Sequence, residues 1–266
     1  MSLFWGFLKQ LHRYRAVIAT MAMQEIRNKY AATLGGALWA VINPLLTILV
    51  YWFVFSHLLI AQPVGKVSYL VYFCAGLIPW LTMGDTLTAS TNAITANRHL
   101  VKKMVFPTEI LPVVYLVTNL ITHSILLVIF LIILWLSGVS LSIFNLQVLY
   151  YVAALSTFSV GLSWMLSSIS VFFRDTAMIL GVFLNIWFWF TPVIWIFERA
   201  PTQYVPLVKF NPMFYIIDGY RGSFVYHVPF WQNYGLGIYF WVTSLALCIV
   251  SGIVFRRLKP EFADVI

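Results

Sequence analysis

A chain of 266 residues that is 62% hydrophobic and only 9% charged, with a mean hydropathy of +0.90, lacks the polar surface that a water-soluble domain of this length needs. Lipid must cover much of it, so the composition excludes a soluble globular protein and points to a polytopic membrane protein. Long unbroken apolar runs exclude a transmembrane β-barrel, and the net charge of +8 reflects basic residues gathered in cytoplasmic loops rather than a nucleic-acid site.

In chain order, residues 1–30 read as a helix lying in the cytoplasmic membrane surface. At 100° per residue, Phe4, Phe7, Leu8, Leu11, Tyr14 and Ile18 share one face and Lys9 and Arg13 lie opposite. Arg15 interrupts the apolar face, so a bend or an end is expected near it. No cleavable signal peptide is expected, because Ala16 to Met23 is short and runs straight into Gln24-Glu25-Ile26-Arg27.

Charge-free intervals then place six membrane spans, at about residues 34–60, 67–86, 110–136, 146–173, 176–197 and 234–255. The uncharged interval from Glu109 to Arg174 is too long for one crossing, and Ser137-Gly138 to Asn145 divides it. Basic residues choose the orientation. Lys9, Arg13, Arg15, Arg27, Lys29, Arg98, Lys102, Lys103, Arg174, Arg256, Arg257 and Lys259 fall on one side, and Lys66, Arg199, Lys209 and Arg221 on the other. The first set is the larger, which puts both termini in the cytoplasm. Residues 198–233 hold Pro201, Pro206, Pro212 and Pro229, yet their centre, FNPMFYIIDGY, is apolar. They read as short re-entrant helices dipping into the outer leaflet, and irregular backbone at depth implies shelter by protein or a cavity. The expected fold is therefore all-α, with six transmembrane helices, an amphipathic interface helix before them and re-entrant helices between spans five and six. Cys74 and Cys248 lie in apolar runs and read as small buried hydrophobes.

Several residues carry more than one reading. In NIWFWFTPVIW (residues 185–195), Phe183, Trp187 and Phe190 share a helical face. Ring packing with an interfacial tryptophan belt is the plainer account. The sharper one is an aromatic lining along which the C–H faces of sugars slide, with Pro192 loosening the helix just beyond the rings. Asn43-Pro44 is either a tolerated kink or a flexible point. Asp85, at the polar end of the second span, is either an interfacial acid or a functional one at depth. Asp175 suits the amino-cap of the fifth span, Arg174 can snorkel to headgroups, and Asp218 and Arg221 most simply pair locally. The loop TANRHLVKKMVFPTEILP mixes charges with Leu100, Val101, Val105 and Phe106, as a short amphipathic helix pressed on a partner protein would. No phosphate-binding loop is found, Gly65-Lys66 having neither the upstream glycine nor the following Ser/Thr, and no H-E-x-x-H or clustered carboxylates occur. Neither ATP hydrolysis nor a catalytic metal is expected on this chain.

The stretches QEIRNKY, LGGALWAVINP, GLIPW, LVKKMVFPTEILP, VFFRDTAMILGVFLNIWFWFTPVIW and FNPMFYIIDGYR occur in that order between about residues 20 and 225. In them the chain resembles the membrane subunit of ABC-2-type polysaccharide exporters, which move O antigen, capsule and wall teichoic acid, and it is most similar to the O-antigen type. The resemblance implies one ABC-2 transmembrane domain over residues 1–266, working as a homodimer with two copies of a separate ATP-binding subunit that carries ATP and Mg. It implies that Glu25 and Arg27, with Arg98, Leu100, Lys102, Lys103 and Phe106 of the 97–107 loop, take the push of that ATPase. It implies channel contacts to sugar from Trp39, Tyr51, Trp52, Phe183, Trp187 and Phe190, and an external gate at Asn211, Pro212 and Tyr215. The implied substrate is a glycan on undecaprenyl diphosphate at the bacterial inner membrane, with Arg98, Lys102, Lys103 and Arg174 as candidates for the diphosphate. An ABC-2 exporter of a small drug or lipid is the alternative. A membrane-embedded glycosyl or lipid transferase would want a D-x-D-like cluster, and a proton-coupled transporter a counterpart to Asp85; the sequence offers neither.

Overall fold

The computed structural model describes residues 10–30, 35–58, 63, 67–102 and 106–266. These residues form helices and connecting turns, with no β-strand among them. In chain order the principal helices are α1 (Arg15–Tyr30), α2 (Trp39–Phe53), α3 (Tyr69–Thr91), α4 (Ile110–Leu136), α5 (Val148–Phe172), α6 (Thr176–Phe190), α7 (Pro212–Arg221) and α8 (Tyr234–Leu258). Among the described residues, four segments are long and apolar enough to cross a membrane: α3, α4, Ile143–Phe172 with α5, and Tyr234–Val265 with α8.

The first and fifth expected spans are shorter. Their apolar helices run over Val41–Phe53, within α2, and Thr176–Phe190, which is α6. At 1.5 Å per residue the 15 residues of α6 reach about 22 Å, against roughly 30 Å of hydrocarbon. The expected fifth span to residue 197 thus stops at Phe190, because Pro192 disfavours helical backbone at the residue before it. Thr191 is accordingly extended (φ −95°, ψ 134°) while its N–H still reaches the Trp187 carbonyl at 2.9 Å. Pro192 ends the helix where loosening was expected. α2 keeps Pro44 inside it and continues as a π-helical turn over Val54–Leu58.

α3 is the axis of the bundle. Val71, Tyr72, Phe73, Cys74 and Ala75 are wholly buried, and α4, α5, α6 and α7 all pack on it. α5 and α8 pair along their length. Where apolar contact brings no gain over lipid, close approach by small residues is what holds such helices together. At Gly161 a Cβ would lie 3.1 Å from both Cys248 Sγ and Leu247 Cγ, and Ser159, Ser163, Ser244 and Ser251 are buried nearby along the two helices. Both cysteines are free and buried, as expected.

Of the amino-terminal amphipathic face, Phe4, Phe7, Leu8 and Lys9 lie outside the described residues. Leu11, Tyr14 and Ile18 pack into an apolar cluster with Ile110, Leu111, Trp164, Phe255 and Phe262. α1 lies along α4, and Thr118 Oγ1 donates to the Ala22 carbonyl at 3.4 Å. The expected break near Arg15 falls at Tyr14, a single turn residue between helical stretches.

Candidate functional site

The ring-bearing helix and the external helix are tied through one side chain. Asn211 caps α7: its Oδ1 accepts from Met213 N at 3.0 Å. The same oxygen accepts from Trp187 Nε1 at 2.9 Å, and its Nδ2 donates to Thr191 Oγ1 at 2.8 Å. Pro212 follows at the first helical position, where its missing N–H costs nothing. Tyr215, also expected at the gate, is buried. Its hydroxyl bonds that of Tyr150 at 2.8 Å, and Tyr150 in turn accepts from Trp241 Nε1 at 2.7 Å. Asn211 and Tyr215 thus fasten α7 to α5, α6 and α8.

The expected sugar contacts do not share one environment. Phe183 and Phe190 are 52% and 63% exposed on the chain's outer face, with Met178, Ile179, Val182 and Ile186 exposed beside them. Trp187 turns partly inward, edge-on to Trp80 with centroids 5.6 Å apart and 6.2 Å from Phe158. Tyr51 is half-buried against Phe73 (5.5 Å) and Phe188 (6.2 Å), whereas Trp52 stands edge-on to His57 at 5.0 Å. Trp39 lies apart from all of these, on a polar cavity of about 260 Å³ with Asn43, Asp85 and Asn119. Phe190 also borders an apolar cavity of about 590 Å³ with Phe55, Tyr69, Trp189 and Trp195, rimmed by Arg199.

At the opposite ends of the helices, Arg98 and Lys102 are exposed, Lys103 lies outside the described residues, and Leu100, Val101 and Phe106 pack into the cluster of Ile110 and Phe262. Much of the loop's apolar content is therefore used within the chain. Arg27 is exposed and Glu25 half-buried, and burial raises the Glu25 carboxyl above its ordinary pKa. Arg174 is exposed at the mouth of a cavity of about 650 Å³ between α5 and α6, walled by Phe172, Phe173 and Leu180. Asp175 does not cap α6: its backbone is already helical and its side chain makes no capping bond, while Thr176 Oγ1 turns back to the Phe173 carbonyl at 2.6 Å.

Arg221 departs from its expected pairing with Asp218. It is 2% exposed, and its guanidinium carbon sits 3.6 Å from the centroid of the Tyr72 ring. Its Nη2 donates to the Val193 carbonyl at 3.1 Å and its Nε to that of Tyr72 at 3.5 Å. Gly76 makes the room, since a Cβ there would lie 3.0 Å from Nη2. The arginine satisfies backbone freed by the Thr191-Pro192 break, which a contact with Asp218 would leave bare. Asp218 borders a separate cavity with Glu198 and Lys209; burial raises its carboxyl to about 6, opposed by the nearby Arg221 charge. A second element that sequence reasoning missed is the buried His123, bonded to Thr82 Oγ1 at 2.7 Å and to the Tyr220 hydroxyl at 2.8 Å. A lone histidine within a long apolar span was the available signal.

These features define a multi-pass helical membrane protein whose aromatic helix α6 is exposed along one side. The chain belongs to the ABC-2 type transporter family, whose model matches residues 16–225. It is 26% identical over 264 residues to the O-antigen export system permease protein RfbA of Myxococcus xanthus, covering 97% of this chain and 98% of that one. It is 24% identical over 251 residues to an O-antigen export system permease protein RfbA of Klebsiella pneumoniae, covering 94% and 95%. The polysialic acid transport protein KpsM of Escherichia coli is 21% identical over 249 residues, covering 93% and 95%.

Proposed function

We propose that this chain is the permease subunit of an ATP-driven exporter that moves an undecaprenyl-diphosphate-linked polysaccharide, O antigen or a similar glycan, across the bacterial inner membrane. Two copies enclose the passage between their α2 and α6 helices, and ATP with Mg is bound and hydrolysed on two copies of a separate subunit. Both termini face the cytoplasm. The exposed charges of the 98–106 loop and the α1 helix receive the ATPase, and Arg98, Lys102, Lys103 and Arg174 offer cations to the lipid diphosphate.

The observation that carries this reading is the near-full-length similarity to relatives named for O-antigen export and polysialic acid transport. Two physical features support it. α6 is too short to span alone and leaves Val182, Phe183, Ile186 and Phe190 more than half exposed, and a short apolar helix is accommodated by oligomerising. Ring faces give weak, sequence-tolerant contact to a repeating polar polymer. Because Trp187 also bonds Asn211, the test of the lining uses the rings with no such tie. Phe183→Ala/Phe190→Ala is expected to keep normal abundance in the membrane, to lower surface glycan several-fold and to accumulate lipid-linked glycan inside the cell. Normal surface glycan in a strain deleted for this gene overturns the polysaccharide reading, and loss of drug resistance alone in the double variant favours the small-molecule exporter.

A further inference from the structure

We infer that His123 is the positioning residue of the external helix α7: its ring, neutral and protonated on Nδ1, takes the Tyr220 hydroxyl midway along α4 and so fixes how deep α7 sits against α3 and α4. The tautomer and the anchoring stand on hydrogen bonds alone. Their consequence for transport rests on the function proposed above, since α7 carries the residues expected at the external gate.

The hydrogens decide the tautomer. Three buried side chains meet in a line. The Tyr220 hydroxyl lies 2.8 Å from His123 Nε2, His123 Nδ1 lies 2.7 Å from Thr82 Oγ1, and Thr82 Oγ1 lies 3.0 Å from the Ile78 carbonyl. With the ring hydrogen on Nδ1 the line runs one way. Tyr220 donates to Nε2, Nδ1–H donates to Thr82, and Thr82 donates to the carbonyl, so every hydrogen has an acceptor. With the hydrogen on Nε2 it would meet the Tyr220 oxygen. The Tyr220 hydrogen would then have no acceptor, because that fully buried hydroxyl has no second partner among the described residues. An imidazolium would strand the same hydrogen and bury a charge with no carboxylate bonded to it.

The line also lies deep. His123 is the central residue of α4, with 13 of its 27 residues on either side, about 20 Å of helix each way. Tyr220 brings the last turn of α7 to that level. Further along α4, Phe130 packs edge-on to Phe224 with centroids 5.0 Å apart. Ring contacts of that kind tolerate a slip, because a shift of one turn still sets apolar side chains against α4. The same slip would strand the Tyr220 hydroxyl and Nε2 together, so the polar pair sets the register. Arg221, next in the chain, ties the same turn to the Tyr72 carbonyl of α3 and to Val193. Adjacent residues thus pin the end of α7 to α4 and to α3. An ionisable side chain midway through a spanning helix marks function by default. Both nitrogens of His123 are taken by the chain, which leaves none for a ligand, and its bonds hold α7 in place.

The test uses the full chain in nanodiscs with its ATPase. Nitrogen-15 NMR of histidine-labelled protein comes first, the His123 signals being those absent from His123→Gln. The parent is expected to show a protonated Nδ1 and a bare Nε2, and the Nε2 signal is expected to move in Tyr220→Phe, which loses the hydroxyl and keeps the ring. A protonated Nε2 or an imidazolium overturns the assignment. Hydrogen exchange reads the anchoring. The amides of α7 are expected to exchange about three-fold faster or more in Tyr220→Phe at unchanged abundance. An unchanged rate means that packing alone holds α7 and overturns the inference. In the complex, the ratio of glycan exported to ATP hydrolysed is expected to fall about three-fold in Tyr220→Phe, with no further fall when Tyr220→Phe is added to His123→Leu, because the acceptor is already gone. Proportional loss of export and hydrolysis would leave His123 a support of the fold and overturn its positioning role. If His123→Leu does not assemble, Tyr220→Phe alone carries the exchange and export readouts. The two ideas fail separately: the wrong tautomer or unchanged exchange sinks the anchor whatever the cargo, whereas normal surface glycan in the deletion strain sinks the polysaccharide reading and leaves the NMR and exchange results standing.

Discussion

At the scale of single residues, Asn211 does three things with one carboxamide: it starts α7, receives the Trp187 indole N–H, and holds the last turn of α6 through Thr191. Removing it exposes costs of different kinds. Loss of an N-cap is worth about 0.5–2 kcal/mol, and a partly buried indole donor left without a partner adds about 1–3 kcal/mol. Asn211→Ala is therefore expected to lower the thermal midpoint of the purified protein in nanodiscs by several degrees. Asn211→Asp, which keeps both accepted bonds and suits the positive end of α7, is expected to lose less. Equal midpoints for parent and Asn211→Ala would mean that the junction between α6 and α7 is held by packing alone.

At the scale of elements, helices lock where one side chain occupies the space that a neighbouring residue leaves empty. A Cβ at Gly219 would overlap the ring of Tyr151, which is 5% exposed and boxed in by Tyr150, Tyr215 and Tyr220. Gly219→Ala must push α7 off α5, because overpacking a rigid site costs about 1–3 kcal/mol or more. The expected result is a sharp loss of monodisperse protein in size-exclusion chromatography, partly restored by adding Tyr151→Ala; no restoration would place the damage elsewhere. This lock also marks what the sequence could reveal. The apolar bodies of α3, α4, α5 and α8 stand out as long intervals with charge only towards an end of the helix, at Asp85 in α3 and at Arg256 and Arg257 in α8, because a helix in lipid cannot hide its composition. The end of α6 does not, since Thr191 to Phe197 is nearly as apolar as the helix before it, and hydropathy is blind to what Pro192 does to Thr191. Arg221 is illegible for a different reason. Its partners, Tyr72 and Val193, are far away in the chain, whereas Asp218 lies one turn back. The cavity beside Trp39 is hidden in the same way, its walls drawn from separate helices, Asn43 of α2, Asp85 of α3 and Asn119 of α4 among them.

At the scale of the molecule, two apolar clusters divide the labour. One surrounds α3 and takes in α7, with Ile216, Ile217 and Phe240. The other gathers helix ends: Ile18 of α1, Ala93 and Ile94 after α3, Ile110 opening α4, Val171 closing α5, and Phe255 and Phe262 at the tail. Helix ends are where a membrane protein meets water, so apolar burial there regains the driving force that it lacks among lipid tails. Phe262 is fully buried between Phe255 (5.4 Å) and Phe172 (6.2 Å), and next to it Lys259 grips both oxygens of Glu109 at 2.7 and 2.8 Å. The tail thus fastens together the 98–102 turn, the start of α4 and the end of α5, the parts that a partner ATPase would push as one body in the function proposed above. Phe262→Ala leaves a cavity at that joint, at a cost of about 3–5 kcal/mol. Lys259→Met removes a partly exposed ion pair worth about 1 kcal/mol or less. In the assembled complex, Phe262→Ala is expected to cut glycan export several-fold more than it cuts ATP hydrolysis, with Lys259→Met close to the parent in both. A joint that transmits force fails by slipping, so the engine turns while the load stays put. Proportional loss of export and hydrolysis would show instead that the cluster only holds the fold together.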